Sequence, residues 1–348
     1  MISAKGVRSG VLSIGGSRIA TPAFLPVATQ GAVPYLGSDD LTSVGCAAML
    51  TNALYLALRP GVDLIERAGG LQRFIGWPGM IVTGSGSFQL RKRQPDTNGP
   101  VAATVDESGA TMLSHVDGSR LRWRPEDSIH LQCRLGADLT LALTPHTGPD
   151  DDAAGLRHKV DRAIRWNARS FAALEKGRAL LGVVQGGASV AERQRCAAEL
   201  AALGAFGYAV GGALGIGAGA HDALAAAIQP LPAQRLRYVL VARSVDDVRR
   251  AVMLGADLVS GSFPIQQARR GLFFTEETPI DLTESLFAND RQGPVANCSC
   301  PVCSDFSRAY LHHLFRANEM LGPRLAGIHN LFMVQRVMAG LASNPYNP

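Results

Sequence analysis

Short apolar runs alternate with amphipathic, helix-like patterns along most of this chain. The runs Ala23–Val27, Ala47–Thr51, Met80–Thr83, Leu139–Leu143, Leu180–Val184, Tyr208–Val210, Arg237–Val241 and Leu258–Ser260 predict strands. Helix start signals stand between them, such as Ser38-Asp-Asp-Leu, Arg124-Pro-Glu-Asp-Ser and Ser244-Val-Asp-Asp-Val. Eight continuously apolar strands alternating with helices predict an α/β fold, a (β/α)8 TIM barrel whose parallel strands are covered on the outside. An open doubly wound sheet is the alternative, and the count of eight favours closure. The alternation breaks over about residues 89–123, where glycines, prolines and Asn98-Gly mark turns. There Ser119-Arg-Leu-Arg-Trp-Arg124 alternates at period two, so a β-rich insertion follows the third strand. Arg120, Arg122 and Arg124 would share one strand face with Arg91-Lys92-Arg93 nearby, facing either phosphates or plain solvent. The organisation expected is a barrel over 1–279, then a metal-binding subdomain over 280–348 closed by a helix from about Asn330 to Ala342.

In such barrels the chemistry sits just past the C-terminal ends of the strands. Those positions hold Thr29-Gln30, Asn52, Ser85 to Gln89, Thr144, Gln185-Gly-Gly, Gly211-Gly212, Ala242-Arg243 and Ser260. They are rich in small and amide residues and poor in carboxylates. A net charge of +5 over 348 residues permits an acidic partner such as nucleic acid without requiring one. No apolar run is long enough to span a membrane, and the N-terminus lacks a signal-peptide pattern.

Cysteine supplies the sharpest motif. Cys298-Ser-Cys300-Pro-Val-Cys303 is followed, after a helical segment expected over about Asp305 to Met320, by His329. Three thiolates and one imidazole complete a tetrahedron with no open position, the donor set of a structural Zn²⁺. Cys46, Cys133 and Cys196 stand alone in apolar surroundings and read as core residues. Clustered metal-type cysteines without a disulfide framework suit a reducing cytoplasm.

These residues resemble a known family. Thr21-Pro-Ala-Phe-Leu-Pro-Val27, Leu58-Arg-Pro-Gly61, Gly69-Gly-Leu71, Ser114-His-Val-Asp-Gly-Ser119, Gly207-Tyr-Ala-Val-Gly-Gly212 and Ser307-Arg-Ala-Tyr-Leu-His-His313 are similar to motifs of the tRNA-guanine transglycosylases. Those enzymes exchange guanine in tRNA for a 7-deazaguanine base. The resemblance runs from about Thr21 to Leu341, includes the spacing of the zinc quartet, and implies the same barrel. It further implies tRNA or another nucleic acid as partner and a 7-deazapurine base as ligand. The family's zinc region supports pairing, either as a homodimer or as a heterodimer with a catalytic paralogue.

The family's chemistry uses a carboxylate nucleophile at C1′ of the ribose, a second as general acid/base, and a third to read the base. The family's Asp-Ser-Gly-Gly-Tyr-Gln is Gly84-Ser85-Gly86-Ser87-Phe88-Gln89 here. By the resemblance, Gly84 takes the acid/base position, Ser260 the nucleophile position and Thr144 the base-reading position. Retained walls of the implied base pocket are Ser85, Phe88, Gln185, Gly211 and Gly212, with Arg243 where the family has glycine. Asp257 precedes Ser260 by an odd number of residues, so strand alternation turns it to the other face. His115 and Asp117 match the family in the insertion, and His146 follows the fourth strand. Three readings remain open. One is a non-catalytic accessory or RNA-binding subunit. The others are a repurposed glycosyl-transfer or nucleoside-processing enzyme using Ser260, Arg243 or His146, and base exchange through unexpected residues.

Overall fold

A computed structural model describes residues 6–90, 99–148, 151–211 and 218–343. Arg91-Lys92-Arg93 and Gly212 lie outside the described residues. A hairpin of β1 (Gly10–Ile14) and β2 (Ser17–Thr21) leads into β3 (Ala23–Pro26), β4 (Ala48–Asn52) and β5 (Met80–Gly84). The insertion contributes β6 (Val101–Val105), β7 (Ala110–Leu113) and β8 (Arg120–Trp123). There follow β9 (Leu139–Leu141), β10 (Ala179–Val184), β11 (Gly207–Val210), β12 (Leu236–Val239) and β13 (Leu258–Gly261). One eight-stranded parallel sheet runs β3-β13-β12-β11-β10-β9-β5-β4. A parallel bridge from Val27 to Leu50 joins its two ends, and Ala28 N–H donates to the Leu50 carbonyl at 2.7 Å. The expected barrel is therefore present, and each anticipated strand lies within a residue or two of its place.

Alternation along the strands divides the core into two layers. Met80, Val82, Ala209, Tyr238 and Leu258 join the cluster inside the barrel, while Ile81, Tyr208, Val210, Val239 and Val259 pack against the helix layer. The same alternation turns Ser260 inward and Asp257 outward. Asp257 sits at the opposite end of the strand from the mouth, 3.4 Å from Arg8, and accepts the Arg237 N–H at 2.8 Å. Leu12 and Ile19 of the β1–β2 hairpin join the interior cluster at that same end.

The insertion is a three-stranded antiparallel sheet, β6-β7-β8. Two of its three arginines are engaged in ion pairs. Arg122 turns to Asp106, at 2.7 Å, and to Thr111, while Arg124 leaves the strand to precede the helix Pro125–Arg134, with Nε 3.4 Å from Asp127. Glu107 in the β6–β7 turn takes Arg165 through two bonds of 2.7 and 2.9 Å, fastening the sheet to the helix Ala153–Ala172.

The C-terminal helix differs from expectation. It spans Leu321–Ser343, so His329 lies within it and is not delivered by a helix over 305–320. That region is broken into Pro301–Asp305 and Arg308–Arg316, because Ser307 caps the second helix and Asn318 takes a positive φ of 55° after it. Pro323 falls in the first turn of the last helix, where no N–H is needed. Buried Asn330 accepts the Phe274 N–H at 2.9 Å and donates to the Pro264 and Leu272 carbonyls, pinning this helix beside the barrel.

Gln132, fully buried on the helix Pro125–Arg134, ties the helix layer to two barrel strands. Its Oε1 accepts Thr83 Oγ1 at 2.8 Å and Leu141 N–H at 3.0 Å, and its Nε2 donates to Ser128 Oγ and the Leu141 carbonyl. Gln132→Leu leaves these groups unsatisfied in a dry core. Urea unfolding should show a loss of about 2–4 kcal/mol with an unchanged m-value.

Candidate functional site

The strand ends bring the anticipated residues to one end of the barrel. In the three residues following each of the eight strands there is no Asp or Glu. In their place stands a chain of neutral polar groups. Ser85 Oγ donates to the Ala142 carbonyl at 3.0 Å and lies 2.9 Å from Ser87 Oγ. Ser87 Oγ accepts the Thr144 N–H at 2.8 Å and is 3.3 Å from Thr144 Oγ1. Gln185 Nε2 donates to Thr144 Oγ1 at 2.9 Å, and Thr147 Oγ1 donates to Gln185 Oε1 at 2.8 Å. Ser85, Thr144, Thr147 and Gln185 are all buried. A neighbouring pair, Asn52 Nδ2 to Gln89 Oε1 at 2.9 Å, extends the polar lining toward β4.

Gly84 ends β5, and a Cβ there would meet the Thr51 carbonyl at 3.3 Å. Ser260 is 0% exposed on β13, and its Oγ has no hydrogen-bond partner. Its inward-facing neighbour Tyr238 is also fully buried, and its hydroxyl lies beside Ser260 Oγ without a well-aligned hydrogen bond. Burial pushes the Tyr238 phenol well above its ordinary range, with Ser260 the partial offset. A serine hydroxyl with no base in contact is a poor nucleophile.

Phe88 stands at the rim, its ring edge-on to His146 at 5.6 Å, and is 42% exposed. His115 packs against Tyr55 at 5.2 Å, with burial and Arg59 lowering its proton affinity. Asp117 closes a local turn onto Ser119, so neither insertion residue stands among the strand-end groups. Arg243 precedes the helix Val245–Met253, its Nε 4.0 Å from Asp247, and lines a cleft of about 740 Å³ with Phe263, Phe274 and Met333.

Some residues the sequence did not single out prove central. Arg193, on the helix after β10, is 0% exposed. Its guanidinium donates to the carbonyls of Gly187 at 2.9 Å, Val184 at 3.0 Å and Gly211 at 2.6 Å. No carboxylate compensates it among the described residues, and burial pulls its pKa down to about 10, so it remains charged at neutral pH. Gly211 must be glycine, since a Cβ would lie 2.8 Å from Val183 Cγ1 and 3.2 Å from Gln185 Nε2. Val241 holds a positive φ of 65°, unusual for a β-branched residue, and its side chain is 53% exposed between two ladder bonds. Nothing in the periodicity marks Thr147 and Arg193, which act through tertiary contacts, or Val241, which stands out only by its backbone angle.

The second site is the cysteine cluster. One ligand atom from each of Cys298, Cys300, Cys303 and His329 lies within 4.8 Å of the others. His329 Nδ1 is 3.7, 3.4 and 3.4 Å from the three sulfurs, while its Nε2 lies 2.8 Å from the Phe274 carbonyl. That outer bond fixes the ring with Nδ1 toward the thiols, as a metal-binding histidine requires. Cys303 draws Cys300 well below the usual thiol range, whereas Cys303 is itself pushed up by the Cys300 beside it. As thiolates, three sulfurs this close would need a cation, and the donor set fits one. Among the described residues no helix is long and apolar enough to cross a membrane.

The family model for queuine tRNA-ribosyltransferase matches residues 3–343. A queuine tRNA-ribosyltransferase of Sphingopyxis alaskensis is 36% identical over 342 residues, covering 96% of this chain and 90% of that protein. One from Nitrosomonas eutropha is 37% identical over 344 residues, covering 96% and 92%. A third, from Herpetosiphon aurantiacus, is 35% identical over 335 residues, covering 95% and 84%. With a closed barrel, a Cys3His cluster and these matches over nearly its whole length, this chain belongs to the queuine tRNA-ribosyltransferase family.

Proposed function

We propose that this protein binds tRNA and holds a purine-type base in the barrel mouth without exchanging it, acting as an RNA-binding or accessory subunit. The observation that carries this reading is that Gly84, Thr144 and Ser260 stand where the family resemblance places carboxylates, with Thr144 held in the neutral chain Ser85–Ser87–Thr144–Gln185. Displacing a base at C1′ develops positive charge on the sugar, and a neighbouring anion is what lowers that barrier. Gly84 brings no functional group, Thr144 is tied to Ser87 and Gln185, and Ser260 has a hydroxyl with no base in contact. A repurposed activity would run through that serine, Arg243 or His146.

The metal is read as a structural Zn²⁺ on Cys298, Cys300, Cys303 and His329. Support comes from the all-protein S3N donor set, which leaves no position for water or substrate. Its place between the last helix and Phe274 makes it a staple for the C-terminal region, the part suited to pairing with a second copy or with an active paralogue. The cytoplasm is the compartment this reading implies, since the thiols must stay reduced.

Incubated with tRNA and radiolabelled guanine, the purified protein should incorporate no label. It should still retain tRNA on a filter, with affinity falling steeply as salt rises, as phosphate contacts require. Label incorporated at a rate above the protein-free control would refute the non-exchanging role. Elemental analysis should find one zinc per chain. Cys300→Ser should lower metal content and destabilise the protein by several kcal/mol, read as a fall in melting temperature. A metal-free wild-type protein with an unaltered melting temperature would exclude the staple.

A further inference from the structure

The bonds in the barrel mouth run in one direction. Thr147 Oγ1 accepts the Gly187 N–H at 3.1 Å, so its own proton goes to Gln185 Oε1. That fixes the Gln185 amide with its NH2 group toward Thr144. At the other end Ser85 donates to the Ala142 carbonyl, so Ser87 donates to Ser85. Ser87 Oγ already accepts the Thr144 N–H, and the Thr144 hydroxyl points its proton at the same oxygen. The protons left uncommitted here are the second Nε2–H of Gln185, those on Arg193 Nη2, and the hydroxyl of Ser260, whose oxygen lies beside the Tyr238 hydroxyl.

Acceptors on this side are withdrawn. The carbonyls of Val184, Gly187 and Gly211 all face the Arg193 guanidinium. The walls thus offer protons over a buried positive charge and present no anionic acceptor. Buried donors without partners carry a penalty that a ligand's lone pairs remove. An exocyclic amino group placed here would face hydroxyls already engaged with one another, and its own N–H groups would go unpaired in a dry site.

Resting on the reading that the mouth holds a base, we propose that its preferred occupant is an acceptor-rich oxopurine that lacks the 2-amino group of guanine. Its 6-oxygen accepts from Gln185 Nε2, and a ring nitrogen of hypoxanthine or the second carbonyl of xanthine accepts from Ser260 Oγ. Gly211, without a side chain, leaves a thin wall for a flat ring. The Arg193 charge favours ring forms with electron density on oxygen.

The test is calorimetric titration of the full-length, metal-loaded protein with hypoxanthine, xanthine and guanine, of which guanine and hypoxanthine differ only by the 2-amino group. Hypoxanthine and xanthine should each bind at least about tenfold more tightly than guanine. Thr144→Asp, which introduces an anionic acceptor, should shift the preference toward guanine. Ser260→Ala, a milder change, should weaken xanthine binding without improving guanine. Metal content and melting temperature confirm that each variant is folded, and the wild-type ranking decides if one is not. Guanine binding more tightly than both others would overturn the inference and leave the base-holding reading intact. Failure of all three to bind would overturn that reading and the inference with it.

Discussion

Much of the barrel mouth follows from how Gln185 is held. Its amide is gripped at both ends, by Thr147 at 2.8 Å and by Thr144 at 2.9 Å, and its own N–H donates to Cys196 Sγ. Arg193 holds the peptide carbonyl before it and the Gly211 carbonyl beside it, so the gap between β10 and β11 is set from below. A buried guanidinium with only carbonyl partners is costly, yet here it orders two strand ends at once. Thr144, Ser87 and Ser85 then fall into line across β9 and β5. A polar network of this kind is stable only when each member is satisfied.

That constraint links fold to function. The eight-stranded ring places the polar groups at one end because inward and outward residues alternate, and the outward set seals the helix layer. The ring's interior is otherwise apolar, so a carboxylate among these side chains would need a cation or several donors to stay charged. The chain instead carries hydroxyls and amides, of which Ser85, Ser87, Thr144, Thr147 and Gln185 bond to one another. Binding and chemistry are thereby separable: a base needs hydrogen bonds and a flat slot, whereas its displacement needs negative charge beside the sugar. The metal cluster lies outside this arrangement. His329 and the adjacent Asn330 both reach the Phe274 peptide, one through its carbonyl and one through its N–H, coupling the cysteine cluster to the segment that follows β13.

Much of this was legible in the sequence, for physical reasons. Buried parallel strands are continuously apolar, so the eight runs stood out, and four ligands at metal spacing announced themselves. Ser260 pointing inward and Asp257 outward followed from period-two alternation alone. Helix breaks were harder: Ser307 capping a new helix and Asn318 turning the chain are local choices within a uniformly helical composition. The arginines of β8 read as a row, but ion pairs with Asp106 and Asp127 claim two of them. Arg193 carries no sequence signal because an arginine on an amphipathic helix ordinarily faces water. Val241 was invisible because its strain lies in backbone geometry and not in residue type.

The central claim is that this mouth has no working nucleophile. Its most direct test is the intact mass of the protein after incubation with tRNA and excess guanine, quenched under denaturing conditions. The account predicts a single species at the mass of the unmodified chain. A covalent RNA adduct that maps to Ser260 and disappears in Ser260→Ala would contradict it.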